Sequence, residues 1–277
     1  MTAKTLREVL NKANKRNYAV VGLVVLGWED ALAYTQAADE TGIPIILQAG
    51  PGCRKHTPVP ILGKMFRYLA DQTKTSVVCH IDHGYSIKEC LDGIDNGFTS
   101  VMFDGSKLSI KENIKITSAI AKKAHAANVS VEGEVGFVGY NKGKSSEGTK
   151  IEEAELFANE SGADAMAVSV GNTHLQTEKN AKIDFYKIKK IENVSSIPLV
   201  LHGGSGISNN IRKKLARSTN VAKLNIGTEL RILFGKTVRK NISLNKRIYD
   251  RVEILKPTIK ELKKLTIKII SNIGPLN

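Results

Sequence analysis

The stretch Ser76-Val77-Val78-Cys79-His80-Ile81-Asp82-His83-Gly84 opens as a β-branched, apolar run and closes on ionisable side chains. A strand with one wet face alternates apolar and polar residues. Nearly continuous hydrophobicity belongs instead to a strand covered on both faces, as in a parallel sheet flanked by helices. Two similar runs precede it, AVVGLVV (19–25) and PIILQA (44–49). Five follow: TSVMFD (99–104), VSVEGEV (129–135), AMAVSV (165–170), PLVLH (198–202) and VAKLNI (221–226). Between them lie segments of helical spacing at 28–41, 59–72, 87–96, 110–127, 151–161, 185–192, 209–218 and 228–241. Eight strands in strict alternation with helices predict an α/β chain folded as a (β/α)8 TIM barrel rather than an open doubly wound sheet. No linker interrupts the pattern, so residues 1–277 read as a single domain. A last segment, 257–272, carries Ile259, Leu262, Leu265 and Ile269 at helical spacing and predicts a C-terminal helical extension packed on the body or on a partner subunit.

Composition narrows the function classes. The 277 residues are 42% hydrophobic and 25% charged, enough for one large buried core. The opening MTAKTLREVLNKANKR reads as a charged amphipathic helix with no signal-peptide core, and no apolar run is long enough to span a bilayer, so a cytoplasmic protein without membrane contact is expected. Cys53, Cys79 and Cys90 are odd in number and lack CxxC spacing, which argues against a disulfide framework or a thiolate metal site. The net charge of +14 suits an anionic ligand. Its lysines are scattered, however, among them Lys187, Lys189, Lys190, Lys213, Lys214, Lys260, Lys263 and Lys264, and no arginine stripe interleaved with aromatics appears. Nucleic acid is therefore not the expected partner.

In a β/α barrel the active site is built where the strands end. There the third run offers His80, Asp82 and His83, the fourth Asp104, and the fifth Glu132 and Glu134. The sixth leads to His174, the seventh ends in His202 and the eighth in Asn225. Four of the six histidines thus fall on one rim, leaving out His56 and His125. Imidazoles converging from different strands, with one coordination position open, are what a catalytic Zn²⁺ requires. Next to the rim, His202-Gly203-Gly204-Ser205-Gly206-Ile207 and Asn225-Ile226-Gly227-Thr228 lead into helices after the seventh and eighth strands, where backbone N–H groups can hold a phosphate. Metal, phosphate and a carboxylate at Asp82 together suggest enolate chemistry with Asp82 as proton carrier; as the bland alternative, Asp82 orients a ligand or caps a helix. The polar segment 136–150, GFVGYNKGKSSEGTK, is a candidate mobile lid.

The motifs HIDHG (80–84), VMFDGS (101–106), VEGEVG (131–136), LHGGSGI (201–207) and KLNIGTELR (223–231), in this order, resemble the class II fructose-bisphosphate and tagatose-bisphosphate aldolases over nearly the whole chain. The resemblance implies reversible cleavage of a phosphorylated ketose to dihydroxyacetone phosphate and an aldehyde. It implies His83, His174 and His202 as zinc ligands, though ligand type alone also admits Co²⁺ or Fe²⁺. It makes Asp82 the residue that exchanges the hydroxyl proton and Asn225 a partner of the enediolate. Gly203, Ser205 and Thr228 take the phosphate, and Asp104, Glu132 and Glu134 form an acidic surround in which the ion can shift. The resemblance further implies that the loop at 136–150 closes over substrate with Glu147 as proton donor, and that the protein assembles as a homodimer or homotetramer.

The departures concern substrate. Where the family reads Phe-Asn-Val-Asn, this chain has Leu23-Val24-Val25-Leu26; Gly50 replaces a serine, Leu175 a glycine, and Thr177-Glu178-Lys179 stands for Tyr-Lys-Gly. Losing several hydrogen-bonding groups points to a changed sugar, since sites that bond a substrate group reject analogues lacking it. Two alternatives stay open: the same zinc and enediolate chemistry on a ketose that is not doubly phosphorylated, and an inactive barrel that binds anionic partners.

Overall fold

The computed structural model describes residues 2–140, 143 and 145–276. The chain enters through α1 (Leu6–Lys15), whose start is fixed by a capping box in which Thr5 and Glu8 satisfy each other's backbone N–H groups. β1 (Val20–Val24), α2 (Trp28–Thr41), β2 (Ile45–Ala49), α3 (Pro51–His56), α4 (Val59–Gln72), β3 (Val77–Gly84), α5 (Ile87–Asp95) and β4 (Ser100–Phe103) follow. Then come α6 (Ile110–Ala126), β5 (Ser130–Val135), α7 (Ile151–Glu160), β6 (Ala165–Val168), α8 (Phe185–Val194), β7 (Leu199–Leu201), α9 (Asn209–Ser218), β8 (Val221–Ile226), α10 (Thr228–Leu244) and α11 (Arg251–Ile273). The strands pair in chain order, and β1 pairs in parallel with β8, closing the barrel as the alternation predicted.

Two layers fill the barrel. Near the strand starts the filling is apolar, with Val20, Ile46, Val78, Met102, Ala167 and Val200 packed with Leu6, Val9, Leu10 and Ala13 of α1, which seals that mouth. Each such Leu, Ile or Val contributes roughly 1.5–3 kcal/mol by leaving water. Above it the filling turns polar: Gln48, His80, Glu132 and Lys223 are all fully buried. Outside the sheet, Ala31, Ala33, Ala37 and Ala38 of α2 keep that helix slim, and α11 lies along it.

The structure departs from the sequence reading in two elements. α3 was not anticipated; Pro51 sits at its first turn, where a missing N–H costs nothing. The terminal helix begins at Arg251 rather than 257, because Asp250 caps it and Pro257 is accommodated inside it. Pro257 cannot donate to the Glu253 carbonyl. Asn241 of α10 does so instead, its Nδ2 lying 2.9 Å from that oxygen.

Within the 136–150 segment, Asn141, Lys142 and Lys144 lie outside the described residues. The flanks are tied down: Phe137 and Glu147 exchange backbone hydrogen bonds of 2.9 and 2.8 Å, and the His174 N–H donates to Gly139 at 2.8 Å. All three cysteines are buried and unpaired. Of the eight lysines named above, all but Lys187 and Lys263 are exposed. Among the described residues no helix is long and apolar enough to cross a membrane.

Candidate active site

Three histidines from separate strand ends meet at the barrel mouth. Donor atoms of His83, His174 and His202 all lie within 4.8 Å of one another. The ring centroids stand 4.7 Å apart for His83 and His202, 5.2 Å for His83 and His174, and 5.5 Å for His174 and His202. Local backbone irregularity aims them. The β3–β4 register shifts between Ile81 and Gly84, and His83 adopts a left-handed φ of 49°. Leu175, directly after His174, is left-handed too, at 58°. Non-glycine residues enter that region at a cost of roughly 1–2 kcal/mol each, so surrounding contacts must impose it.

The hydrogen bonds say which nitrogens face inward. His83 Nδ1 is 2.8 Å from Asp104 Oδ2, and His202 Nε2 is 3.1 Å from Glu132 Oε1. A ring nitrogen that donates to a carboxylate leaves the opposite nitrogen as the lone-pair donor. That selects Nε2 of His83 and Nδ1 of His202. His202 Nδ1 and Glu134 Oε2, 3.5 Å apart, are buried with no hydrogen-bond partner. Two orphaned polar atoms flanked by further imidazoles and carboxylates fit a divalent cation.

The electrostatics mark where positive charge is favoured. Burial opposes charge on His83, but Asp82, the Asp104 hydrogen bond and Glu134 outweigh it and raise the imidazole to about 10. Burial also pushes Asp104 upward, yet its bonds to His83 and Ser106 prevail and hold it below the usual carboxylate range. Burial, then Asp104, raises Glu134 well above that range, while burial and then His83 keep His174 and His202 neutral. The cluster thus concentrates carboxylates around a point that favours positive charge.

Beside the three histidines, Asn225 Nδ2 lies 3.4 Å from Asp82 Oδ1. Both line a cleft of about 300 Å³ with His83, His174, Gly203, Ser205 and Thr228. Gly203 is left-handed, φ 67°, and a Cβ there would stand 2.1 Å from the Thr173 carbonyl oxygen, so both conformation and space require glycine. Ser205 Oγ accepts from the N–H groups of Gly227 and Glu229 at 3.4 and 3.3 Å, drawing the loops after β7 and β8 together. Buried Arg212 braces them from behind, donating to the Gly204 carbonyl at 2.9 Å and to Glu229.

Most of the expected residues therefore share one cleft or its floor, with two differences. Asp104 and Glu134 form a second group of possible ligands with His83, whereas Glu132, expected in that surround, is engaged by Lys223 and His202 instead. Glu147 lines a separate depression with Ser106, Asn113 and Lys150, not the histidine cleft. Of the two histidines left off the rim, His56 ends α3 and His125 pairs with Asp164 at 3.0 Å.

Several cleft residues escaped the sequence reading. Tyr85 and Tyr140 line the cleft, and their rings lie over His83 and His174 respectively, at 6.4 and 5.0 Å between centroids. Arg231 also lines the cleft. Lys223 was detectable in principle, since it precedes Asn225 by two residues and so points the same way from β8. For the tyrosines no local pattern exists.

Residues 4–277 match the family model for fructose-bisphosphate aldolase class-II. The fructose-bisphosphate aldolase of Geobacillus stearothermophilus is 33% identical over 282 aligned residues, covering 99% of this chain and 98% of that protein. The 6-phospho-5-dehydro-2-deoxy-D-gluconate aldolase of Bacillus licheniformis is also 33% identical, over 276 residues, with 97% and 93% covered. Among solved structures, the YdjI aldolase of Escherichia coli K12 superposes with a TM-score of 0.87 at 28% identity, covering 99% of this chain and 98% of that one.

Proposed function

Because this chain belongs to the class II fructose-bisphosphate aldolase family, we propose that it holds Zn²⁺ on His83, His174 and His202 and splits a phosphorylated ketose into dihydroxyacetone phosphate and an aldehyde. Membership makes the chain a carbon–carbon lyase of a metal-dependent class. The observation that carries the ligand assignment is the approach of three imidazoles to within 4.8 Å of one another, with His202 Nδ1 buried and unpartnered. Co²⁺ and Fe²⁺ suit the same donors.

The bound ion supplies Lewis acidity, polarising a carbonyl and stabilising negative charge on adjoining oxygens. Asp82 takes the proton from the hydroxyl of the carbon that becomes the aldehyde. As the carbon–carbon bond breaks, its electron pair stays with the three-carbon fragment, and the Asn225 amide donates to the enediolate so formed. Gly203, Ser205 and Thr228 hold that fragment's phosphate, with the N-terminus of α10 directed at it. Glu147 is assigned the return of a proton to the fragment, which requires the 136–150 loop to carry it from its own depression to the cleft. Asp104 and Glu134 offer the ion a second resting place. We read residues 1–277 as one working unit, cytoplasmic and assembled as a homodimer or homotetramer; exposed Leu244, Tyr249 and Val252 near the α10–α11 junction support self-association.

The test is metal analysis with a cleavage assay. One equivalent of metal per chain, loss of cleavage on chelation, and loss in Asp82→Ala at unchanged metal content are expected. A zinc-replete protein without stoichiometric metal defeats the reading.

A second reading concerns the aldehyde. Val24, Leu26, Leu175, Tyr85 and Tyr140 give the cleft an apolar side, which favours a deoxy or otherwise less polar fragment over the usual triose phosphate. Condensation of dihydroxyacetone phosphate with a panel of aldehydes tests this; a clear preference for glyceraldehyde 3-phosphate defeats it.

A further inference from the structure

Directly beneath the mouth, a row of fully buried polar groups crosses the barrel from β4 to β7. His80 Nδ1 is 2.8 Å from Ser100 Oγ, and His80 Nε2 is 3.3 Å from Lys223 Nζ. Lys223 Nζ is 2.6 Å from Glu132 Oε2, and Glu132 Oε1 is 3.1 Å from His202 Nε2. His80, Glu132, Lys223 and His202 are each 0% exposed. We propose that Lys223 is a positioning residue for the cation site: through Glu132 it holds His202 in the one tautomer whose Nδ1 lone pair faces the ion. The inference rests on reading His202 as a metal ligand.

The donor and acceptor inventory orders every proton in the row. An ammonium only donates, so His80 Nε2 must accept from Lys223 and the His80 ring proton sits on Nδ1, directed at Ser100. The same ammonium donates to Glu132 Oε2 and balances its charge. Oε1 of that carboxylate then accepts the Nε2–H of His202, and no proton remains for Nδ1. Burial keeps His80 neutral in addition, with the nearby Lys223 charge acting in the same sense.

Removing the ammonium breaks this order at its charged link. Oε2 loses its donor, and a buried carboxylate is left without a countercharge. Glu132 then has no single orientation in which Oε1 must face His202. Supporting groups behind metal-bound histidines change metal affinity by about 10- to 100-fold when lost.

A neutral replacement of both partners separates positioning from packing. In K223M/E132Q the glutamine NH2 takes the place of Oε2, which stands 3.7 Å from the His80 Nε2 acceptor. Its carbonyl oxygen then faces His202 Nε2 as Oε1 does now. In K223M/E132A no acceptor remains there.

The experiment loads the full-length chain and its variants with Co²⁺ and measures affinity by chelator competition, the visible ligand-field spectrum and the melting temperature of the metal-free protein. K223M is expected to bind about 10- to 100-fold more weakly with an altered spectrum, and K223M/E132Q to return close to wild type in both. K223M/E132A should stay weak; if K223M does not fold, the contrast between the two double variants carries the test alone. Equal Co²⁺ affinity in wild type, K223M and K223M/E132A overturns the proposal, as does a K223M/E132Q protein that folds yet binds no better than K223M/E132A. Wild type that takes up no Co²⁺ sinks instead the underlying reading of the three histidines, so the two failures are distinguishable.

Discussion

The Asn225 amide at the end of β8 donates across the barrel mouth to the Asp82 carboxylate at the end of β3, over 3.4 Å. This bond engages one carboxylate oxygen of a residue that lines the cleft. Replacing Asp82 with Asn keeps size and removes the carboxylate proposed as the base. It is expected to lower kcat by about 10²- to 10⁴-fold while metal content and melting temperature stay near wild type. Asn225→Ala should lower kcat less and leave the pH profile centred where it was. Steady-state cleavage with metal analysis of the same preparations checks both.

Gly203 carries a second prediction. A side chain at its left-handed φ of 67° would meet the Thr173 carbonyl at 2.1 Å, so the loop after β7 must shift. Gly203→Ala is expected to raise KM for phosphorylated ketoses at least tenfold, through displaced phosphate donors, with a loss of stability of about 1–3 kcal/mol. An unchanged KM in a folded variant counts against a phosphate there.

Asp30 makes stability pH-dependent. Burial lifts its carboxyl from 3.8 to about 6, against hydrogen bonds from the Leu26 and Gly27 N–H groups. Between those two values the folded chain binds more protons at this site than the unfolded one, so the contribution is complete below the lower value and is lost as pH rises through the upper. The loss is on the order of 3 kcal/mol. Asp30→Asn should flatten the stability curve between pH 4 and pH 7 relative to wild type, as read by urea unfolding. Parallel curves would remove Asp30 as the cause.

Asn241 and Pro257 form a compensating pair between α10 and α11. Asn241→Ala leaves the Glu253 carbonyl without its 2.9 Å donor, and Pro257→Ala supplies an N–H in its place. The first change is expected to cost about 1 kcal/mol and the second to reduce that cost. A double-mutant cycle by chemical denaturation reads the coupling; additive effects would show that the amide does not stand in for the missing N–H.

Some of this was legible along the chain. The helices at 28–41, 59–72 and 209–218 and the strand at 221–226 end where the periodicity says, because capping and burial act over a few residues. Local signals also marked the rim, since a polar residue closing an apolar strand is visible without coordinates. The terminal helix was misplaced at its start because Pro257 reads as a beginning, and only a side chain on α10, sixteen residues earlier, lets it lie inside. Glu132 shows the same limit: spacing from Glu134 put it on the inner face, but its partner is Lys223, 91 positions away.

Strand number, alternation and the line-up of chemical groups at strand ends were thus properties of the sequence alone, since each depends on residues a few positions apart. Which nitrogen of His202 is left without a partner, that Glu132 pairs with Lys223 and His202 rather than joining Asp104 and Glu134, and that two tyrosines lie over the histidines were decided only when the barrel closed. Closure brings β3, β5, β7 and β8 within hydrogen-bond reach in a buried interior, where an unpaired polar group is costly, and no stretch of chain encodes that pairing by itself.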